Sequence, residues 1–201
     1  MRRVAVIGIG CTKMGEHWEK SLRDLSTEAG VSALRDAGIS GKDIQALFIG
    51  NMSAGRFIGQ EHLAALVADS AGLLPIPATR CEAACASGAL AFRKAYLSIL
   101  AGEYDIVMVG GAEKMTDIKG TDAIATLMGA GDQEWESSIG LTFSGLFGLM
   151  ARLYMKRYNL SREELALVPI KNHKHGINNP YAQFNFEITL DDVLNLSLIH
   201  I

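Results

Sequence analysis

The run Cys81-Glu82-Ala83-Ala84-Cys85-Ala86-Ser87-Gly88-Ala89-Leu90-Ala91 decides how this chain is read. Upstream lies a short extended-looking segment, Ala78-Thr79-Arg80. Downstream, an apolar run of small residues predicts a helix to about Ala101, closed by Gly102. The order is strand, tight turn, helix, with the Cys85 thiol at the turn. A helix N-terminus carries partial positive charge and unpaired N–H groups, which stabilise a thiolate. Ala84, Ala86 and Gly88 leave room for a reactant to approach the sulfur. That is how a nucleophilic cysteine is built. Free Cys is also among the most buried residue types, so spacing alone leaves a core-filling thiol as an open alternative. Cys11 and Cys81 precede no comparable helix start and read as core or loop residues.

Working outward, Val4–Ile9 is a continuous apolar run beside Gly8 and Gly10, the pattern of a buried strand. Ser21 to Ala37 carries Leu22, Leu25, Ala29, Ala33, Leu34 and Ala37 at helical spacing, with Gly38 placed to end the helix. Ala46–Gly50 and Asp105–Gly111 are further short buried strands. Gln60–Ala71 reads as a helix closed by Gly72. Strands alternating with helices predict an α/β domain whose sheet is covered on both faces. Beyond Met115 the chain turns rich in Gly, Ser, Thr and Met with weak periodicity. A capping box from Ser161 to Glu164 starts a helix toward Lys174, in which Pro169 interrupts the pattern and could introduce a kink, and Asn178-Asn179-Pro180 marks a turn or loop. The expected organisation is therefore an α/β domain over 1–115 and a helical, loop-rich excursion over 116–195.

Composition narrows the function classes. The 201 residues suit one substantial domain or one and a half typical ones, and 49% apolar with 20% charged residues is globular. A net charge of −3 makes no electrostatic case for nucleic acid or an anionic membrane. Three cysteines without a C-x-x-C pair argue against a disulfide framework or a zinc site and fit a reducing cytoplasm. No run approaches transmembrane length. Gly8-Ile9-Gly10 invites a dinucleotide reading, but Lys13 stands where a third glycine is needed, and the next strand ends in Ile49-Gly50-Asn51 with no acid. His173 and His175, two residues apart, share no helix face, so a solvated or hydrogen-bonded role is preferred to metal ligation. His17 and His62 are isolated. Glu82 would disfavour a neighbouring thiolate, so it is expected to point away from Cys85. Met108, Met115, Met128, Met150 and Met155 read mostly as core filler, though one or two could line an acyl pocket.

Several segments together resemble the thiolase family. Cys85-Ala86-Ser87-Gly88 is similar to its nucleophile motif, and Gly110-Gly111-Ala112-Glu113-Lys114-Met115-Thr116 to the G-G-x-E-x-M-[ST] motif after the next strand. The two, in this order and about 25 residues apart, are far more specific than either alone. Val4–Gly10, Ile49–Phe57, Lys171–Lys174 and Asn179–Ala182 resemble the archaeal acetyl-CoA C-acetyltransferase branch, related to the sterol-carrier-protein type of thiolase. The similarity runs from residue 1 to about 195. It implies a layered α/β/α half carrying a helical insertion. It implies Cys85 as the nucleophile that takes an acyl group from acyl-CoA, then a Claisen condensation with a second acetyl-CoA to acetoacetyl-CoA, or the reverse thiolysis. Both halves of that reaction pass through oxyanions, to which the Cys85 N–H is a natural donor. The resemblance further implies CoA thioesters as substrates with no permanently bound cofactor and no metal. As partners it implies a homodimer or higher oligomer, a small OB-fold protein and a hydroxymethylglutaryl-CoA synthase, in the lipid chemistry of the mevalonate pathway. A degradative 3-ketoacyl-CoA thiolase and a non-catalytic acyl-CoA- or partner-binding relative are the alternatives.

The chain departs from the family in one respect. Thiolases carry a second α/β half with a Gly-His-Pro histidine and a Cys-x-Gly cysteine, and neither motif occurs here. The C-terminal half is expected to be absent, together with the strand that returns to the first half. Leu196-Ser197-Leu198-Ile199-His200-Ile201 does not resemble the family's continuation. It can be encoded by CTG TCT CTT ATA CAC ATC, which looks like a transposon-end sequencing adapter, so 196–201 is read as a non-native tail. An ordinary apolar tail is the alternative.

Overall fold

The computed structural model describes residues 2–196, so the tail beyond Leu196 lies outside the described residues. Among the described residues two compact units form, one from 2–12 and 16–130, the other from 13–15 and 131–196.

In the first unit, strand β1 (Ala46–Gly50) is buried along its whole length. It pairs in parallel with β2 (Ala78–Cys81) on one edge and β3 (Val107–Gly111) on the other, giving the order β2-β1-β3. Because side chains alternate along a strand, β1 feeds two cores at once. Leu47 and Ile49 pack with Leu22, Leu63, Val67 and Ala68, contributed by helices α1 (Leu22–Ala37) and α3 (Leu63–Ser70). Ala46 and Phe48 pack with Cys81 and with Ala91 and Ala95 of helix α4 (Ser87–Ala101). The sheet is thus covered on both faces, as the alternation of strands and helices predicts. The first crossover runs from β1 through α3 to β2, and the second from β2 through α4 back across β1 to β3. Right-handed connections with opposite lateral shifts must put their helices on opposite faces. Short helices α2 (Ala54–Phe57) and α5 (Gly120–Leu127) complete this unit.

The helix ends follow the expected chemistry. Ser21 and Asp24 form a reciprocal capping box at the start of α1, and Gly38 closes it at φ 67°. Gly102 closes α4 at φ 80°. The helix read over Gln60–Ala71 is shorter, Leu63–Ser70, with His62 in a left-handed conformation before it.

The expected buried strand at Val4–Ile9 does not form. The segment pairs with no strand, and Val6 and Ile9 are 64% and 72% exposed. Its two glycines instead let it lie directly against α1. A Cβ on Gly8 would sit 2.5 Å from the Ala33 carbonyl oxygen, and one on Gly10 2.2 Å from that of Ala29. The Ile9 N–H donates to Asp36 Oδ2 at 2.8 Å. Between this segment and the outer edge of β3 lies a cavity of about 400 Å³, lined on one side by α1 and on the other by Phe92 and Tyr96 of α4. Among the described residues no strand pairs with that edge of β3. A run of apolar residues becomes a strand only where an edge is within hydrogen-bonding reach.

The second unit holds helices α6 (Phe143–Tyr158), α7 (Arg162–Gly176) and α8 (Leu190–Asn195). Ser161 and Glu164 form the predicted capping box, and Thr189 and Asp192 form another. Helix α7 runs past Lys174, as expected, with Pro169 inside it. Helix α8 packs on α7, where Arg162 Nη2 donates to the Leu194 carbonyl at 3.1 Å. Of the methionines read as core filler, Met128 is buried, while Met150 is 55% exposed.

Candidate active site

The site is built at the carboxyl ends of the three parallel strands, where crossovers leaving toward opposite faces open a crevice. After Cys81 ends β2, residues 82–86 make a tight elbow and α4 begins at Ser87. This is the strand–turn–helix expected from the sequence, with Cys85 inside a single 3₁₀ turn, Ala84–Ala86, that leads into the helix. Ala84 has φ 47°, a left-handed conformation that costs a non-glycine residue about 1–2 kcal/mol. Local hydrogen bonds hold the bend. Buried Ser87 accepts from the Ala83 N–H at 2.9 Å and donates to the Ala84 carbonyl at 2.6 Å. Glu82 Oε1 accepts from the Ala84 N–H at 2.6 Å. The Glu82 carboxylate is therefore engaged with the backbone of the elbow.

Cys85 is exposed on this elbow, so it does not fill core space in this chain. Cys81 does, at 4% exposure, and burial pushes its thiol up from the ordinary value. Cys11 is exposed and donates to the Thr12 carbonyl at 3.1 Å.

The elbow rests on Gly50, the last residue of β1. A Cβ there would come within 2.6 Å of the Gly88 backbone nitrogen. The first turn of α4 can sit this close to the sheet only because residue 50 is glycine; a Cβ on Gly88 would meet nothing within 4 Å. Beyond Gly50, a polar cluster that the sequence reading missed ties the three strand ends together. Asn51, 2% exposed, donates through Nδ2 to the Ala112 carbonyl at 2.8 Å and to Glu113 Oε1 at 2.9 Å. Arg80 donates to the Asn51 and Met52 carbonyls at 3.3 and 2.7 Å and pairs with Glu61 at 2.8 Å. A signal was available: each of the three strands ends beside a large polar residue, Asn51, Arg80 and Glu113.

His173 Nδ1 is 3.0 Å from the Phe186 carbonyl oxygen, and its ring packs against Phe184 and Phe186, so it has a hydrogen-bonded role in the second unit. Among the described residues no three His, Cys, Asp or Glu side chains converge as metal ligands would, and no helix is long and apolar enough to cross a membrane.

Comparison with known proteins gives the family. The chain is 54% identical over 197 residues to an acetyl-CoA acetyltransferase of Methanocaldococcus jannaschii, covering 98% of this chain and 50% of the relative. It is 52% identical over 200 residues to a protein of the same name from Methanothermobacter thermautotrophicus, covering 99% and 51%. The chain thus spans about half the length of the curated relatives it matches. A solved structure, the Ltp2-ChsH2(DUF35) aldolase, superposes with a TM-score of 0.74 at 25% identity, covering 97% of this chain and 49% of that one. Residues 4–193 match the family described as thiolase, N-terminal domain, and the chain belongs to the thiolase family.

Proposed function

We propose that this chain is the nucleophile-bearing part of an acetyl-CoA C-acetyltransferase. The observation that carries the reading is the exposed Cys85 on a hydrogen-bonded elbow at the carboxyl edge of the sheet, in a chain 54% identical to an archaeal protein of that name. Cys85 Sγ attacks the thioester carbonyl of acetyl-CoA. The thiol proton passes to the departing CoA sulfur, leaving an acetyl group on Cys85 and free CoA. The Cys85 N–H serves as one donor to the oxyanion formed on the way. A second acetyl-CoA, deprotonated at its methyl carbon, then takes the acetyl group to give acetoacetyl-CoA, and thiolysis is the reverse. In this reading the groups that move these protons belong to the second half that the family resemblance implies. Acyl transfer to a thiol calls for no resident cofactor, and CoA thioesters are the substrates.

The same reading extends to assembly and setting. A homodimer or higher oligomer, a small OB-fold partner and a hydroxymethylglutaryl-CoA synthase follow from the family resemblance, with a cytoplasmic place in the mevalonate pathway. The two-component name of the superposing aldolase supports a second protein component in particular.

The test is direct. The protein made from the complete reading frame is incubated with acetyl-CoA, quenched in acid and mapped by mass spectrometry. An acetyl group on the peptide bearing Cys85, absent from Cys85→Ala, is expected. A protein that binds acetyl-CoA without acquiring the adduct would be the non-catalytic relative. Preference for longer 3-ketoacyl-CoAs in thiolysis would make it a degradative thiolase.

A further inference from the structure

The segment Asn51–Ser53 leaves β1 between the ends of β2 and β3, and its polar groups are held from both sides. Glu113, just beyond β3, presents one carboxylate to a fan of N–H donors. Oε2 accepts from the Met52 N–H at 2.8 Å and the Ser53 N–H at 3.3 Å, while Oε1 accepts from Asn51 Nδ2 at 2.9 Å. Arg80 on β2 takes the carbonyls of the same segment. The segment touches the elbow at both of its ends. On the strand side, the Asn51 N–H donates to the carbonyl of Cys81, the residue from which the elbow departs. On the helix side, Gly50 underlies Gly88 at a distance that admits no Cβ. A shift of 50–53 is therefore passed to Cys81 and to Gly88 together, and Cys85 lies between them.

We propose that Glu113, with Arg80 as its counterpart on β2, is a positioning residue that fixes the Cys85 elbow through Asn51–Ser53. The role rests on the acyltransferase reading above. Acyl transfer needs Sγ and an oxyanion donor held together against one carbonyl, and a misplacement of about 1 Å costs on the order of 10²-fold in rate. Alkylation by iodoacetamide needs only an accessible sulfur. Loss of the clamp should therefore separate the two reactions.

The experiment compares the complete wild-type protein with Glu113→Gln. The amide keeps one acceptor but turns an NH₂ group toward backbone N–H donors. Three quantities are measured: the rate of Cys85 acetylation by acetyl-CoA, its half-saturating concentration, and the iodoacetamide rate at Cys85 relative to exposed Cys11. In E113Q the acetylation rate should fall about 10- to 100-fold, with half-saturation within about twofold and relative alkylation within about threefold. Arg80→Lys keeps the charge but not the reach to two carbonyls, and it should show the same split if E113Q does not fold. Acetylation at the wild-type rate in a folded variant overturns the role. So does an equal fall in acetylation and alkylation in a variant that still melts cooperatively, because the role requires the two reactions to separate. A wild-type protein that takes no acetyl group overturns the acyltransferase reading itself and this role with it.

Discussion

At the scale of single residues, the three thiols occupy three environments. Cys85 is exposed on the elbow, Cys11 is exposed in an irregular segment, and Cys81 is buried with its thiol pushed up by that burial. Limiting iodoacetamide applied to the intact protein should label Cys85 first and Cys81 last. Labelling of Cys11 or Cys81 with Cys85 untouched would contradict the assignment. Cys85→Ala should abolish acetyl transfer, and Cys85→Ser should lower it by roughly 10³-fold or more, because a hydroxyl at neutral pH is a far weaker nucleophile without a base tuned to it. Gly50 makes a separate point. Its forbidden Cβ would meet the Gly88 backbone, which cannot swing aside as a flexible side chain would. Gly50→Ala should destabilise the fold by about 1–3 kcal/mol, read from chemical denaturation, and should slow acetylation in the fraction that folds. An Ala variant as stable as wild type would mean that α4 can lift from the sheet freely.

At the scale of elements, helix ends give the sharpest expectations. Ser21 donates to the Asp24 carboxylate through its side chain and its backbone N–H, and these bonds hold the Asp24 carboxyl below the ordinary aspartate value. A carboxylate depressed in the folded state contributes its stability at neutral pH. That contribution is lost as pH falls from about 4 through the folded value. Asp24→Asn should lower stability at neutral and alkaline pH and converge with wild type in acid, flattening the acid limb below about 4, and an unchanged acid limb would remove the cap from the account. In α6 the Thr142 hydroxyl accepts from the Gly145 N–H at 3.1 Å, so Thr142→Ala should cost about 1 kcal/mol, measured by denaturation. The legible elements were those with local signals: β1 as a fully apolar run, α1 and α4 with glycines at their ends, and α7 with its capping box. Val4–Ile9 was misread because an apolar run carries no record of whether an edge lies within reach. The Cys85 elbow was legible because small residues, a thiol and a helix start coincide over a few positions. The Asn51–Arg80–Glu113 cluster was not, because its members lie on three separate strand ends and meet only once the sheet order is known. Helix α7 was legible through Pro169 because the capping box at Ser161 and Glu164 marks its start independently of the broken periodicity.

At the scale of the whole molecule, apolar surface stands uncovered in both units. In the first, Val6, Ile9, Phe92 and Tyr96 are each at least 43% exposed, and the cavity along the outer edge of β3 is open between α1 and α4. That gap has the composition of a sheet interior: apolar side chains on both faces and an unpaired strand edge on one side. In the second, Ala166 is the only buried residue among those described, while Phe147 and Leu153 are 59% and 66% exposed. Helices with so little interior of their own contribute little packing energy to hold them. The chain covers about half the length of its archaeal relatives, so we predict that residues 1–195 alone are poorly folded and catalytically inert. Two independent losses act together. The uncovered faces leave the fold without burial to offset chain entropy, and a lone thiol lacks the proton-moving groups that condensation and thiolysis need. The 201-residue chain and the product of the complete reading frame should be expressed side by side, then compared by solubility, cooperativity of denaturation, binding of a hydrophobic dye and thiolysis of acetoacetyl-CoA. The longer protein should recover all four properties together, because the same added segments would cover the apolar faces and complete the chemistry. A 201-residue chain that is soluble, unfolds cooperatively and turns over acetoacetyl-CoA would show that neither the open edge of β3 nor the bare helices need anything further.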